Sequence, residues 1–145
     1  MKIQLKTWAA LLALILLPLS AAAGETTAGA YTIRYNALTA NFLPEATTDS
    51  LGIESSLHQG VVNVTVLKGN GAAATSVPAE VAGKASTLTG ARVPIRFQRV
   101  SDRGGESWIG SFKVPGNDTL RFDLEVTPKG GSATQVQFTH DFVVD

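Results

Sequence analysis

The chain contains no cysteine. A protein without cysteine cannot build a disulfide framework, use a thiolate as a nucleophile, or carry a lipid on an N-terminal cysteine. Histidine is scarce as well, with only His58 and His140, and the one methionine is the initiator. Because the soft donors for copper(I) and the paired histidines of a zinc motif are missing, the sequence predicts no metal site and no cofactor.

An excess of charge of one sign is also lacking, because twelve basic residues balance twelve acidic ones. Removal of a leader that carries Lys2 and Lys6 leaves ten basic residues against twelve acidic ones, a net charge of −2. Such a surface has no long-range attraction for nucleic acid or anionic lipid, so we expect no nucleic-acid partner. Beyond the leader, no apolar run is long enough to predict an integral membrane segment.

The N-terminal residues follow the pattern of an export signal. Lys2 and Lys6 precede an apolar run over 8–19, which is shorter than the ~20 residues of a membrane span. The small residues Ala21-Ala22-Ala23 then provide a cleavage site. This order predicts a signal peptide at residues 1–23 and therefore a periplasmic protein, with a retained N-terminal anchor as the alternative.

Alternation of apolar and polar residues dominates the rest of the chain and predicts half-buried β-strands. The clearest example is TLRFDLEVTP, beginning at Thr119. Turn residues separate the segments, and Pro78 makes one of them an edge strand or an irregular connection. Seven strands are predicted, at 31–37, 62–67, 72–87, 91–100, 106–114, 119–128 and 134–145.

The number and spacing of these strands predict one all-β domain over residues 30–145. Short strands separated by turns at close intervals are typical of an antiparallel, immunoglobulin-like β-sandwich. A closed barrel is the alternative. Residues 24–29 are small, polar and without a pattern, and we expect them to form a flexible tail. We expect the folded domain to be a monomer.

The alternation stops after the first strand, at Asn41-Phe42-Leu43-Pro44. Proline is tolerated in the first turn of a helix and Gly52 is placed to end one, so one short helical turn is predicted here. We expect this segment to cross from one sheet to the other, with Phe42 and Leu43 helping to close the end of the core. In the alternative, both side chains belong to a binding loop and face a partner.

The same segment carries a family resemblance. The chain resembles domain-of-unknown-function family 4426, a group of small exported proteobacterial proteins, over nearly all of its mature length. The specific part of the match is Tyr35-Asn36-Ala37, Phe42-Leu43-Pro44, Gly52-Ile53, Gly60 and Val62-Asn63-Val64. The resemblance implies an exported β-rich domain. It implies no activity and transfers no catalytic residue, because the family has no established one.

Few side chains in this sequence carry chemistry. His140 falls on the apolar face of the last strand, where a lone histidine is usually buried, neutral and hydrogen-bonded; in the alternative it is a ligand or base in a pocket. Arg92 and Arg96 are predicted to share one strand face. Together they would bind an anion, or else pair across strands with Asp123 or Glu125.

The sequence therefore favours a non-enzymatic module that binds an unknown protein partner, since the edge strands of a sandwich can pair with extended chains. A small-ligand carrier is the alternative, with an aromatic-lined pocket made by Tyr31, Tyr35, Trp108 and Phe42-Leu43 and anchored by His140. A hydrolase that uses His140 and a hydroxyl group is the third hypothesis. The candidate ligand or partner contacts are Tyr35, Asn36, Phe42, Leu43, Arg92, Arg96 and His140.

Overall fold

A computed structural model describes residues 23–69, 73–102 and 104–145. The predicted signal peptide, except for Ala23, lies outside the described residues. The described chain forms ten strands and two short helical elements. They are β1 (Ala23–Ala28), β2 (Tyr31–Thr39), a 3₁₀ turn (Ala40–Phe42), α1 (Glu45–Leu51), β3 (Gln59–Lys68), β4 (Thr75–Ser76), β5 (Ala79–Thr87), β6 (Arg92–Val93), β7 (Arg96–Asp102), β8 (Gly105–Lys113), β9 (Asp118–Pro128) and β10 (Thr134–Phe142).

The strands form two antiparallel sheets. The first has the order β1-β2-β3-β8-β7, with β4 paired to the end of β3, and the second has the order β10-β9-β5-β6. Without β1, β4 and β6, these orders match the ABED and GFC sheets of a constant-type immunoglobulin domain. The predicted sandwich is therefore confirmed, and three short strands are added to the seven expected.

The main core lies between the two sheets and follows directly from the alternation in the sequence. Leu120, Phe122 and Leu124 of β9 are fully buried, and Ile33 of β2 and Val62 of β3 belong to the same cluster. Each such side chain contributes about 1.5–3 kcal/mol through removal from water. The side chains between them on β9 point outward, which explains why this strand was clear in the sequence.

The tail predicted at 24–29 is instead mostly strand, because β1 covers Ala23–Ala28. β1 pairs along its whole length with β2, from Ala23 opposite Asn36 to Ala28 opposite Tyr31. Small side chains give a weak strand signal, and here the backbone hydrogen bonds to β2 decide the conformation. At Gly24 the lack of a Cβ is required, because a Cβ there would overlap the ring of Tyr35.

The segment 91–100, predicted as one strand, changes sheet at Pro94. Residues Arg92–Val93 pair with β5 in the second sheet, whereas Arg96–Asp102 pair with β8 in the first. Proline has no N–H to donate to a ladder, so the strand is interrupted at this residue. Ile95 follows the proline and packs against the main core.

The connection between β2 and β3 contains the predicted helical turn. Gly52 ends α1 in the left-handed conformation, with φ of 67°, and Ile53 N donates to Thr48 O at 2.9 Å. The prediction that this segment crosses between sheets is wrong, because β2 and β3 are neighbours in the first sheet. The connection instead folds over the outer face of that sheet.

A second, smaller core forms beneath this connection, and we call it the outer core. It comprises Ala40, Leu43, Leu51, Ile53, Val61, Val100 and Ile109. Val61 and Ile109 are outward-facing residues of β3 and β8, so without the connection they would be exposed. The side chain of Gln98 fastens the helix to the sheet by donating from Nε2 to Leu51 O at 3.0 Å.

Candidate functional site

A groove of about 530 Å³ lies on the outer face of the first sheet, across β1, β2 and β3. We call it the polar groove. It is lined by Ala23, Gly24, Glu25, Arg34, Tyr35, Asn36, Asn63, Thr65 and Leu67. The antiparallel register aligns its polar side chains in two cross-strand rows, Glu25-Arg34-Thr65 and Ala23-Asn36-Asn63. The sequence predicted Tyr35 and Asn36 as contacts, and the structure places both at this groove.

The charges in the polar groove form a neighbouring pair. Arg34 Nε lies 2.9 Å from Glu25 Oε1, and more than half of each side chain is exposed. An exposed pair of this kind contributes at most about 1 kcal/mol to stability. The groove therefore presents a cation and an anion side by side, which suits a ligand with groups of both kinds better than a simple anion.

Asn63 is the unusual residue of the polar groove. Its Oδ1 atom is buried and has no hydrogen-bond partner among the described residues. A buried acceptor without a donor costs about 1–3 kcal/mol. Asn36 lies directly opposite on β2, so the two amides form a pair of positions that can donate and accept.

Tyr35 contributes to the polar groove from beneath its floor. Its ring extends under Gly24 and stacks on Phe138 of β10 with a centroid distance of 4.6 Å. Tyr31 behaves similarly at the other end of β2, where its hydroxyl donates to Lys129 O at 3.2 Å. These rings join the two sheets along one side of the sandwich.

The predicted aromatic-lined pocket is not assembled from these residues. Tyr35 stacks on Phe138, whereas Trp108 Nε1 donates to Ala79 O at 2.9 Å and its ring lies below Arg99. Phe42 projects into solvent from the β2–β3 connection. The fold thus places Tyr35, Trp108 and Phe42 in three separate environments, which alternation alone could not reveal.

Phe42 and Leu43 were predicted together but have opposite environments. Leu43 packs into the outer core, as expected for a residue that closes a core. Phe42 does not close it, because 73% of its surface is exposed. The 3₁₀ turn over Ala40–Phe42 separates the directions of the two side chains. The alternative interpretation, in which this segment presents an aromatic side chain to a partner, therefore fits Phe42 alone.

Arg92 and Arg96 do not share a strand face, because the sheet change at Pro94 separates them. Arg92 lines a shallow concavity of about 330 Å³ together with Asp123 and Glu125, its predicted cross-strand neighbours. Arg96 lines another of about 370 Å³ beside Lys113. The two arginines therefore do not form one anion site.

His140 lies half-buried on β10, with its ring 4.6 Å from that of Phe142. Burial lowers its pKa below 6.5, and the nearby Asp141 carboxylate opposes this shift. The ring is therefore neutral near pH 7. Asp141 itself points to the other face, where it accepts a hydrogen bond from Thr119 Oγ1 at 2.6 Å. This geometry does not join His140 to a carboxylate and a hydroxyl as a catalytic triad requires.

Sequence reasoning missed a charged cluster that links the sheets. Arg99 Nη2 contacts Glu80 Oε1 at 2.7 Å, and Arg99 Nε contacts Glu106 Oε1 at 2.6 Å. Glu80 belongs to the second sheet and Glu106 to the first, and the guanidinium lies 5.0 Å from the ring centre of Trp108. Glu106 lies on the next strand of the same hairpin, but Glu80 lies in the other sheet, so no local pattern predicts that Arg99 contacts both. The cluster has the character of a structural clamp.

Within residues 23–69, 73–102 and 104–145, no group of three or more His, Asp or Glu side chains is arranged to hold a metal ion. In the same residues, no helix has the length and apolar character needed to cross a bilayer.

The fold and this geometry define an immunoglobulin-like β-sandwich with an open polar groove and an exposed Phe42. The sequence model of the domain of unknown function DUF4426 matches residues 25–145, and the chain belongs to this family. It is similar to the crystal structure of a DUF4426 family protein from Pseudomonas aeruginosa PAO1, at 29% identity and a TM-score of 0.75. That alignment covers 86% of this chain and 97% of the other. Comparison with curated proteins gives no match.

Proposed function

We propose that this protein is an exported, periplasmic, non-enzymatic module that binds a protein partner through the surface around Phe42. The observation that carries the proposal is the 73% exposure of this phenylalanine between Ala40 and Leu43, which both pack in the outer core. Isolated exposed apolar residues are common and need no explanation. Phe42 differs because both of its flanks are anchored, so its position is fixed by the fold.

The anchoring of Phe42 is specific. Ala40, two residues before it, is completely buried in the outer core, and Leu43, the next residue, packs there too. Leu43 N also donates to Ala40 O at 3.1 Å, which closes the turn. An aromatic side chain held in this way loses little conformational entropy on binding, which is the property of a strong interface anchor.

Photo-crosslinking in the exporting cell tests this proposal. A photoreactive phenylalanine analogue replaces Phe42, and in a matched control it replaces Leu88, which is also an exposed apolar residue but lies in a turn after β5. We expect a covalent adduct with one protein from position 42 and none from position 88. Adducts from both positions, or from neither, would contradict a binding surface centred on Phe42.

The affinity for the captured partner provides the quantitative test. Burial of a phenylalanine side chain contributes about 1.5–3 kcal/mol, so Phe42→Ala should weaken binding by roughly 10- to 100-fold. Leu88→Ala should leave the affinity unchanged. Calorimetry or surface plasmon resonance with the purified partner measures both values.

The export part of the proposal rests on the signal-like N-terminus and predicts a defined product. Cleavage after Ala23 would leave Gly24, within β1, as the first residue of the mature chain. Intact-mass measurement of protein from the periplasmic fraction should therefore give a chain that starts at Gly24. Recovery of the uncleaved chain with the membranes would instead support the retained anchor.

A small-ligand carrier is the second candidate function, and the polar groove with its exposed Glu25–Arg34 pair favours it. The ligand would occupy the polar groove and contact the side chains of Asn36 and Asn63 that line it. A thermal-shift panel of amino acids, dipeptides and sugars should then contain compounds that stabilise the wild type but not Asn63→Leu. If every compound acts equally on both proteins, the polar groove is not the binding site.

A further inference from the structure

The first sheet extends one strand further than the second along one side of the sandwich. β2 lies over β10, since Tyr35 stacks on Phe138 at 4.6 Å and Tyr31 donates to the carbonyl of Lys129 before β10. β1 adds a further strand beyond β2, whereas β10 ends the second sheet. The space beside β10 and below β1 is therefore covered, or roofed, by the first sheet, but no described strand of the second sheet fills it.

We propose that this position accepts an extended segment of a partner polypeptide, which pairs with β10 as an added strand. We call it the strand slot. Its open side is the edge of β10, where alternate residues direct N–H and C=O groups away from β9. Among the described residues β10 pairs with β9 alone. These main-chain groups supply the hydrogen bonds of strand addition.

The roof of the strand slot has room for side chains. Thr26 and Ala28 lie opposite Ile33 and Tyr31, so these two small residues face the inner side of the sandwich, whereas the ring of Tyr35 already fills the space under Gly24. At the Ala28 end a concavity of about 350 Å³ reaches Thr134, the first residue of β10. The inward side chains of an added strand would enter this space and contact the tyrosine rings.

The composition of β10 indicates what kind of segment fits. β10 contains neither proline nor lysine nor arginine, the residues that commonly protect an edge strand. Of its outward side chains, Gln135, Gln137 and Thr139 are uncharged, and Asp141 near the end of the strand is charged and already accepts a hydrogen bond from Thr119. An alternating segment with apolar residues on its inward side therefore fits best, and its binding should depend little on salt. The six residues of β1 roof about 20 Å of such a strand.

The overhang also separates this occupant from a second copy of the chain. In each copy, β2 lies over its own β10. If two copies paired their β10 edges around a two-fold axis, the β2 of one copy would therefore need the same space as the overhanging β1 of the other copy. A lone extended segment, which has no covering layer, avoids this overlap.

Selection from a phage-displayed library of random linear peptides tests the strand slot on the mature protein, with amide hydrogen exchange as the readout. We expect enriched peptides with apolar residues at alternate positions, and we expect these peptides to slow the exchange of β10 amides. Methylation of alternate peptide nitrogens should abolish binding, because it removes the donors of the ladder. Peptides that protect residues 40–43 instead would overturn the strand slot while supporting the Phe42 surface.

Two substitutions on β1 provide a matched pair for the same measurement. Thr26→Trp fills the strand slot from its roof and should weaken peptide binding by about tenfold or more. Thr27→Trp places the same side chain on the exposed outer face of β1 and should leave the affinity unchanged. Equal effects of the two changes, or an absence of enriched peptides, would refute the proposal.

Ala28→Trp is the substitute for Thr26→Trp if that variant does not fold, since Ala28 has the same orientation at the wider end of the slot. Sedimentation of the wild-type protein completes the test. A monomer agrees with an isolated segment as occupant. A dimer that Thr26→Trp dissociates would overturn the proposal in favour of self-association.

Discussion

The main core and the outer core contain similar side chains but arise in different ways. In the main core, every second residue of β9 is buried from Leu120 to Pro128. In the outer core, the contributors come from a 3₁₀ turn, a helix and the outward faces of three strands. The main core therefore follows a period that can be recognised in the sequence. The outer core depends on where the β2–β3 connection lies, and this connection has no such period.

The two cores therefore have different roles, one in the stability of the domain and the other in holding Phe42 at the surface. The main core joins the sheets and supports the whole domain, whereas the outer core covers one face of one sheet and fixes the segment that carries Phe42. Damage to the first should unfold the protein. Damage to the second should loosen the proposed binding surface and leave the sandwich in place.

The largest expected effect is that of Phe122→Ala in the main core. Phe122 is fully buried, and its ring contacts those of Phe112 at 5.2 Å and Phe138 at 4.8 Å. Removing it should lower the free energy of unfolding by about 3–5 kcal/mol, which is a large part of the stability of a small domain. Denaturant unfolding at equilibrium measures this change. A loss below about 1 kcal/mol would show that the sheets do not depend on this contact.

A smaller effect is expected from Ile53→Ala in the outer core. Ile53 is buried just after α1. Its truncation should lower the free energy of unfolding by about 2 kcal/mol, which is at the lower end for such changes because the site can partly collapse. The same variant should accelerate amide exchange in residues 40–53 more than in β9. Phe42→Ala is the control, since an exposed side chain should alter stability by less than about 0.5 kcal/mol. Uniform acceleration across the domain would mean that the two cores unfold together.

The smallest effect is the pH dependence conferred by His140. Because burial lowers its pKa below 6.5, the unfolded chain binds a proton more readily than the folded protein as the pH falls through 6.5. Stability is therefore greatest above pH 6.5 and decreases below it, until the folded histidine also becomes protonated. His140→Gln should reduce this decrease. Thermal melting of both proteins between pH 8 and pH 5 tests the sign, and an identical decrease would exclude His140 as its source.

Local patterns show where sequence reasoning succeeds. Alternation predicted the strand at 31–37, and in the structure Tyr35 and Asn36 of this strand lie on opposite faces of the first sheet. Gly52 was correctly predicted to end the helix. Such features depend on neighbours in the sequence, because a strand period or a helix end is set within a few residues.

The errors concern contacts between distant residues. Residues 24–28 carry no strong pattern, yet pairing with β2 makes them a strand. The segment 91–100 was predicted as one strand, and only its pairing with both sheets explains why Arg92 and Arg96 separate at Pro94. The exposure of Phe42 beside the buried Leu43 depends on the face that the connection covers.

Local sequence patterns specify the alternating strands, the turns between them, the end of the short helix and the chemistry that an absence of cysteine excludes. These properties follow from the side-chain period and the backbone preferences of single residues. Long-range packing, in contrast, makes β1 overhang β10, joins Arg99 to glutamates from different sheets and leaves Phe42 facing solvent. Each of these features depends on which distant segments pack together. The contacts that stabilise this packing are spread over the whole fold.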